Sequence, residues 1–280
     1  MPEGDSVAKN AMELRPVLVG SVIDDVYATK GPVRGKAGRL RGSEVLAVRT
    51  KGKNLIIDFS GGYSLLVHLG MTGRWRIIDS SRSVAGSATF ALTVAGKHAV
   101  CSGAPVARVD RTPAIERDLE RIGPDLLGDD FDLEDIALRA GSDPDRSLSE
   151  VLLDQSIASG IGNVYKSELA FLARIHPDTP VGEITREDLS SIYERASALL
   201  AINVRRGPRV TTGDRRRGRE LWVYGRGGLS CLRCLTRIES EMSGDRVTYW
   251  CPTCQVAPEK GSDGTRAFRW RDSSRSGDVG

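Results

Sequence analysis

The chain opens Met1-Pro2-Glu3-Gly4-Asp5. Initiator methionine is commonly removed when a small residue follows, and Pro2 qualifies. The mature chain then begins with a prolyl secondary amine beside the Glu3 carboxylate. An α-amine has an unperturbed pKa of about 7.7–8.0, so part of it is unprotonated and nucleophilic at neutral pH. Such an amine forms a Schiff base with a sugar aldehyde carbon, and a neighbouring carboxylate shuttles the protons. Taken alone, this start more often means an unreactive terminus followed by a helix cap.

A second chemistry lies near the other end. Cys231-Leu-Arg-Cys234 and Cys251-Pro-Thr-Cys254 are two CxxC pairs separated by sixteen residues. That spacing suits one structural zinc ion held by four thiolates at the base of a β-hairpin, and soft thiolates favour zinc over calcium or magnesium. The alternative is two disulfides or a redox pair. The first twenty residues carry Glu3, Asp5, Lys9, Glu13 and Arg15 rather than an apolar secretory core. A reducing, cytoplasmic compartment (the nucleoid, in a bacterium) is therefore expected, and disulfides are disfavoured there. The fifth cysteine, Cys101, reads as a small buried hydrophobe.

Net charge is only +3, but seven arginines (205, 206, 209, 215, 216, 217 and 219) face one acid, Asp214, between Asn203 and Arg219. Such a run is often a solvated loop. Directly before a cysteine module it points to phosphate, and so to nucleic acid. No apolar stretch approaches the roughly 18 residues of a membrane span, so no membrane partner is expected.

These groups need a frame. Asp5 or Ser6 can cap a first helix whose apolar face is Val7, Ala8, Ala11 and Leu14, with Pro16 ending or kinking it. Strand-like runs follow at 21–27, 44–49, 54–59, 63–68, 74–78, 89–94 and 98–102. They predict an antiparallel β-sandwich with a flanking helix. From 133 to 204 the period is helical, and within that stretch Gln155…Gly160-Ile161-Gly162-Asn163-Val164-Tyr165 is a turn between helices. Gly160 and Gly162 allow close backbone approach, and Asn163 suits an N-cap. Bare amides at such a helix start can hold phosphate, though an ordinary tight turn has the same sequence. The expected class is α+β and multidomain. The units are a β-sandwich over 1–121, a helical domain over 122–212, a zinc-finger hairpin over 213–256 and a disordered tail over 257–280.

Four motifs in this order resemble the Fpg/Nei family of bifunctional DNA glycosylases across almost the full chain. They are Met-Pro-Glu-Gly, Lys51-Gly52-Lys53-Asn54-Leu55, Gln155 to Tyr165, and Arg246-Val-Thr-Tyr-Trp-Cys-Pro-Thr-Cys-Gln255. The resemblance implies a helix–two-turn–helix in the middle domain and a monomer acting on damaged double-stranded DNA. It implies base removal through a Pro2 Schiff base and strand cleavage by β,δ-elimination. Glu3 is then the acid that assists sugar-ring opening. Lys53 sits near the scissile phosphate, and Asn163 and Arg246 grip the phosphate backbone. On residues alone, Lys53 and Arg246 would pass as surface charges. A base drawn out of the duplex leaves a gap, and Met71 in His68-Leu69-Gly70-Met71-Thr72-Gly73 matches the residue that fills it. The Asp-Pro-Arg-Arg-Phe-Gly loop of the formamidopyrimidine branch is absent, with Val106 to Arg111 in its region. That absence, with the neighbourhoods of Asp5 and of Tyr249-Trp250-Cys251-Pro252, favours the endonuclease VIII branch and oxidised pyrimidines. The alternatives are a formamidopyrimidine-type enzyme for oxidised purines, a non-catalytic lesion-binding relative, or a tautomerase-like enzyme with Pro2 as base.

Overall fold

The structure is a computed structural model, and it describes residues 2–29, 31–84, 86, 88–205, 207–244 and 246–255. The tail expected over 257–280 lies outside the described residues. The chain forms two compact units. The first comprises residues up to 131, 154–162 and 197–209; the second comprises 132–153, 163–196 and the described residues from 210.

The first unit begins with helix α1 (Gly4–Leu18), whose buried apolar residues Val7, Ala11, Leu14 and Leu18 follow helical spacing. Full burial of each Val or Leu is worth about 1.5–3 kcal/mol. Pro16 does not end the helix. It faces solvent while Leu18, wholly buried, holds the last turn in place. Strand β1 (Asp25–Ala28) and the one-turn helix α2 (Gly31–Arg34) follow. Seven further strands complete two sheets: β2 (Val45–Lys51), β3 (Asn54–Phe59), β4 (Tyr63–His68), β5 (Arg74–Asp79), β6 (Phe90–Val94), β7 (Lys97–Ser102) and β8 (Val106–Arg111). One sheet has the order β1-β6-β7-β5 and the other β2-β3-β4-β8, with every pairing antiparallel.

Val106 to Arg111, unassigned to any strand in the sequence, is therefore an edge strand. Its Ala107 and Val109 turn into the core, alternating with the more exposed Val106, Arg108 and Asp110. That core joins Leu55, Ile57 and Phe59 of β3 to Phe90, Leu92 and Val94 of β6, with the α1 face over them. The opposite face of β3 is covered too, since Ile56 packs on Ile115 and Leu119 of helix α3 (Thr112–Leu119). Cys101 is buried, as expected, and burial pushes its thiol up to about 12.

The second unit holds helices α4 (Leu133–Ala140), α5 (Leu148–Leu153) and α6 (Asn163–Ala173), the first half of α7 (Arg186–Arg205), and the hairpin β9 (Glu239–Ser243)–β10 (Arg246–Trp250). Helix α6 is almost entirely buried. Phe171 on its far end stacks on Trp222 at 5.2 Å and shares a small core with Val223, Cys231, Ile238 and Cys251.

Candidate active site and zinc centre

The expected cap at Asp5 or Ser6 is not the one formed. Helix α1 starts at Gly4 with Glu3 in the cap position, and Val7 N–H donates to the Glu3 carbonyl at 3.0 Å. Asp5 and Ser6 already lie inside the first turn, and the Asp5 carboxylate is taken by Arg209. The Glu3 side chain is fully buried, and Pro2 beside it is half-buried.

What surrounds Glu3 is the segment 154–162, the turn between helices. Gly4 N–H donates to the Gly160 carbonyl at 2.9 Å, and Gly162 N–H donates to Glu3 Oε2 at 3.1 Å. A Cβ on Gly162 would lie 2.5 Å from Glu3 Cδ, so only glycine fits. The expected close approach at this turn is thus made toward the N-terminus.

Lys53 reaches the same neighbourhood through the hairpin β2–β3. Lys51 pairs with Asn54, leaving Gly52-Lys53 as a two-residue loop. Gly52 has φ +56, and a Cβ there would meet Ser159 Cβ at 2.6 Å. Asp125 ties the tip down, accepting Gly52 N–H at 2.8 Å and Leu127 N–H at 3.0 Å. Asp125 lies just inside the expected helical domain over 122–212, where no local pattern marks it as an anchor. Burial and the Lys53 charge hold His68 below the usual histidine range. Gly70 N–H donates to His68 Nδ1 at 3.1 Å, so the neutral ring carries its proton on Nε2. Met71, one residue on, is 74% exposed, a placement open to a void-filling role.

Arg209 is the other group the sequence did not single out. It is one of the arginine run, yet it is not solvated. Its Nε donates to Asp5 Oδ2 at 2.7 Å and its Nη2 to Asp5 Oδ1 at 2.5 Å. Its Nη1 lies 3.9 Å from Glu3 Oε1. Arg209 and Asp5 wall a cavity of about 420 Å³ that Lys9 and Asn203 also line, whereas Glu3 does not line it. Elsewhere in the run, Arg216 and Arg219 clasp Asp214 and hold its carboxyl well below the usual range. Arg215 and Arg217 are exposed and have no polar partner among the described residues. Arg206 lies outside the described residues.

In the second unit, Asn163 is the first residue of α6, and its Nδ2 donates to the Val247 carbonyl on β10 at 2.8 Å. Its Oδ1 is buried with no hydrogen-bond partner among the described residues. Nδ2 carries two hydrogens, so one can stay on Val247 while the other reaches a phosphate. Arg246 opens β10 at the hairpin tip and is exposed. Glu168 accepts from the Thr211 hydroxyl and from the amides of Trp222, Val223 and Tyr224. Burial pushes its carboxyl up, and these donors oppose the shift.

The four cysteine sulfurs lie within 4.8 Å of one another, with Cys231–Cys254 at 3.9 Å and Cys234–Cys251 at 3.4 Å. A disulfide needs about 2.05 Å, while a tetrahedral zinc with 2.3 Å bonds sets its sulfurs about 3.8 Å apart. The donor set fits zinc and not disulfides. Gln255 braces the site, accepting Cys251 N–H at 2.8 Å and donating to the Ile175 carbonyl at 3.0 Å.

Comparison with known proteins agrees with this geometry. The formamidopyrimidine-DNA glycosylase N-terminal domain matches residues 1–108, the H2TH domain of the same glycosylase matches 122–214, and the zinc finger found in FPG and IleRS matches 228–256. The chain belongs to the Fpg/Nei family of DNA glycosylases and AP lyases. It is 39% identical over 285 residues to "Probable endonuclease 8 2" of Streptomyces coelicolor, covering 97% of this chain and 100% of the relative. It is 40% identical over 264 residues to "DNA-(apurinic or apyrimidinic site) lyase Nei2" of Mycolicibacterium smegmatis, covering 92% of this chain and 100% of that one. The fold matches Lactococcus lactis formamidopyrimidine-DNA glycosylase, solved non-covalently bound to DNA containing an AP site. That match has a TM-score of 0.80 at 23% identity and covers 91% of this chain and 99% of that one. Among the described residues no helix is long and apolar enough to cross a membrane.

Proposed function

We propose that this chain removes oxidised pyrimidines from double-stranded DNA and cleaves the resulting abasic site by β,δ-elimination, with Pro2 as the nucleophile. The observation that carries the reading is the burial of the Glu3 carboxylate beside Pro2, fixed by the Gly162 N–H at 3.1 Å. Loss of Met1 leaves Pro2 with a secondary amine that can attack the anomeric carbon. Glu3 assists opening of the sugar ring by giving a proton to the ring oxygen. Lys53, on the hairpin that packs against the same segment, supplies positive charge to a phosphate. Asn163 and Arg246 take the phosphate backbone in the second unit, and Met71 enters the space left by the extruded base. The pyrimidine preference is supported by the endonuclease 8 and Nei2 relatives and by the missing formamidopyrimidine loop. A cytoplasmic monomer, nucleoid-bound in a bacterium, completes the reading.

The test is an incision panel on duplexes carrying single defined lesions. Oxidised pyrimidines should be cut faster than 8-oxopurines, and the reverse order would move the chain to purine repair. Glu3→Gln should separate the two activities. Base removal should drop about 10²–10⁴-fold, whereas a preformed abasic site, already partly open-chain, needs no ring-opening proton and can be attacked by the fraction of Pro2 already unprotonated near neutral pH, so it should lose less.

A further inference from the structure

The charges around the N-terminus form a chain of three: buried Glu3, partly buried Arg209 and buried Asp5. Glu3 is wholly shielded from solvent and Asp5 is 3% exposed. Between them lies one guanidinium, which makes two hydrogen bonds to Asp5 and a third from Nη2 to the Ser6 hydroxyl at 3.2 Å. The fork on Asp5 fixes the plane and position of Arg209. Its remaining nitrogen, Nη1, then stands 3.9 Å from Glu3 Oε1.

Charged groups approach Glu3 from three stretches. The start of helix α1 carries Asp5, with Lys9 and Glu13 further along it, the stretch after α7 supplies Arg209, and the β2–β3 loop brings Lys53 to the segment 154–162. From the segment 154–162, the group that meets the Glu3 carboxylate is the neutral Gly162 N–H. Burial alone would drive Glu3 to its protonated form. A cation within about 4–6 Å and a hydrogen bond to the carboxylate both act the other way.

We propose that Arg209, clamped by Asp5, is a positioning residue that holds Glu3 as a carboxylate in the free enzyme, so that Glu3 takes the proton Pro2 must lose before attack. This rests on Pro2 being the nucleophile. The prolinium gives one proton to Glu3, and the freed lone pair bonds to C1′ as the C1′–base bond breaks with its electrons going to the base. The second N–H proton passes to the departing base. The nitrogen lone pair then forms the iminium as the C1′–O4′ bond breaks, and O4′ takes the proton from Glu3. Glu3 ends as it began, as a carboxylate.

The experiment is a ¹³Cδ NMR titration of Glu3 in the full, zinc-loaded chain without DNA, for wild type, Arg209→Met and Asp5→Asn. Wild-type Glu3 should be ionised at neutral pH. Arg209→Met should raise its titration by about 1–3 units. Asp5→Asn removes a competing anion but keeps an amide oxygen that can still accept from Arg209 Nη2, so the guanidinium stays in place and Glu3 should move downward or not at all. Mere loosening of the pocket would move both variants the same way and overturn the proposal. So would an Arg209→Met curve that superimposes on wild type, or a wild-type Glu3 that is protonated at neutral pH. If Arg209→Met does not fold, Arg209→Lys replaces it: the retained charge should keep Glu3 ionised, and a protonated Glu3 at neutral pH would contradict the idea. In parallel, the acid limb of base excision should shift upward in Arg209→Met with the titration. Failure of wild type to trap on abasic DNA would remove the Pro2 reading while leaving the titration result standing.

Discussion

Glu3 and Gly162 are 159 residues apart in sequence, and the amide of the second donates to the carboxylate of the first at 3.1 Å. The contact seats a helix cap against an interhelical turn and leaves no room for a β-carbon between them. Gly162→Ala would place Cβ 2.5 Å from Glu3 Cδ. A displacement of about 1 Å in a reacting group can cost 10²-fold in rate. Base excision by Gly162→Ala should therefore fall by about that factor with zinc content and circular dichroism unchanged. A variant within a few-fold of wild type would mean that Glu3 tolerates being moved.

His68 gives a pH signature. Its folded-state pKa is depressed by burial and by Lys53, whereas the unfolded side chain titrates near 6.5. Above that value the ring is neutral in both states. As pH falls below it, the unfolded chain binds a proton that the folded chain resists, so stability is lost until the folded pKa is passed. Urea midpoints on both sides of about pH 6.5 should fall more steeply for wild type than for His68→Asn, which carries no titrating ring. Parallel losses would show that His68 does not report this linkage.

Asn163 and Arg246 should behave differently when truncated. Both are proposed phosphate contacts, but only Arg246 is charged: its loss should reduce the salt slope of DNA binding by about one, whereas loss of the neutral Asn163 should lower affinity with the slope unchanged. Asn163 also holds the Val247 carbonyl, so Asn163→Ala should cost a further ~1 kcal/mol of stability. Arg246→Ala, at the exposed hairpin tip, should leave stability unchanged. Equal thermal midpoints for the two variants would count against the structural role of Asn163.

Cysteine loss should act on the second unit. Cys231→Ser removes one of four thiolates around a core too small to fold without metal. The zinc signal in metal analysis should drop from one per chain, and DNA binding should weaken because the hairpin carrying Arg246 is no longer held. Full zinc occupancy and affinity in the variant would exclude the four-cysteine site.

Much of the site was legible because its chemistry is local in sequence. Pro2 and Glu3 adjoin each other, and each cysteine pair is a short motif whose spacing encodes its ligand geometry. The strands from β2 to β7 showed through alternation and Gly-rich turns. Strand β8 is less clear, because only Arg108 and Asp110 give Ala107 and Val109 a polar alternation while exposed Val106 breaks it. Arg209 and Asp5 are 204 residues apart, and nothing in a run of arginines marks the one that pairs with a buried carboxylate. The helix start was misplaced for a related reason. Asp5 and Ser6 have capping side chains, but Asp5 is committed to that distant guanidinium, and the backbone of Glu3 takes the cap.

The central claim is that the N-terminal secondary amine makes the covalent bond to the sugar. Borohydride reduction of the enzyme on duplex DNA with a single abasic site, followed by peptide mass spectrometry, tests it directly. The account predicts one cross-linked species, on the nitrogen of Pro2 in chains that have lost Met1, and none in protein shown to retain Met1. A cross-link on Lys53 or another lysine, or trapping by Met1-bearing chains, would contradict it.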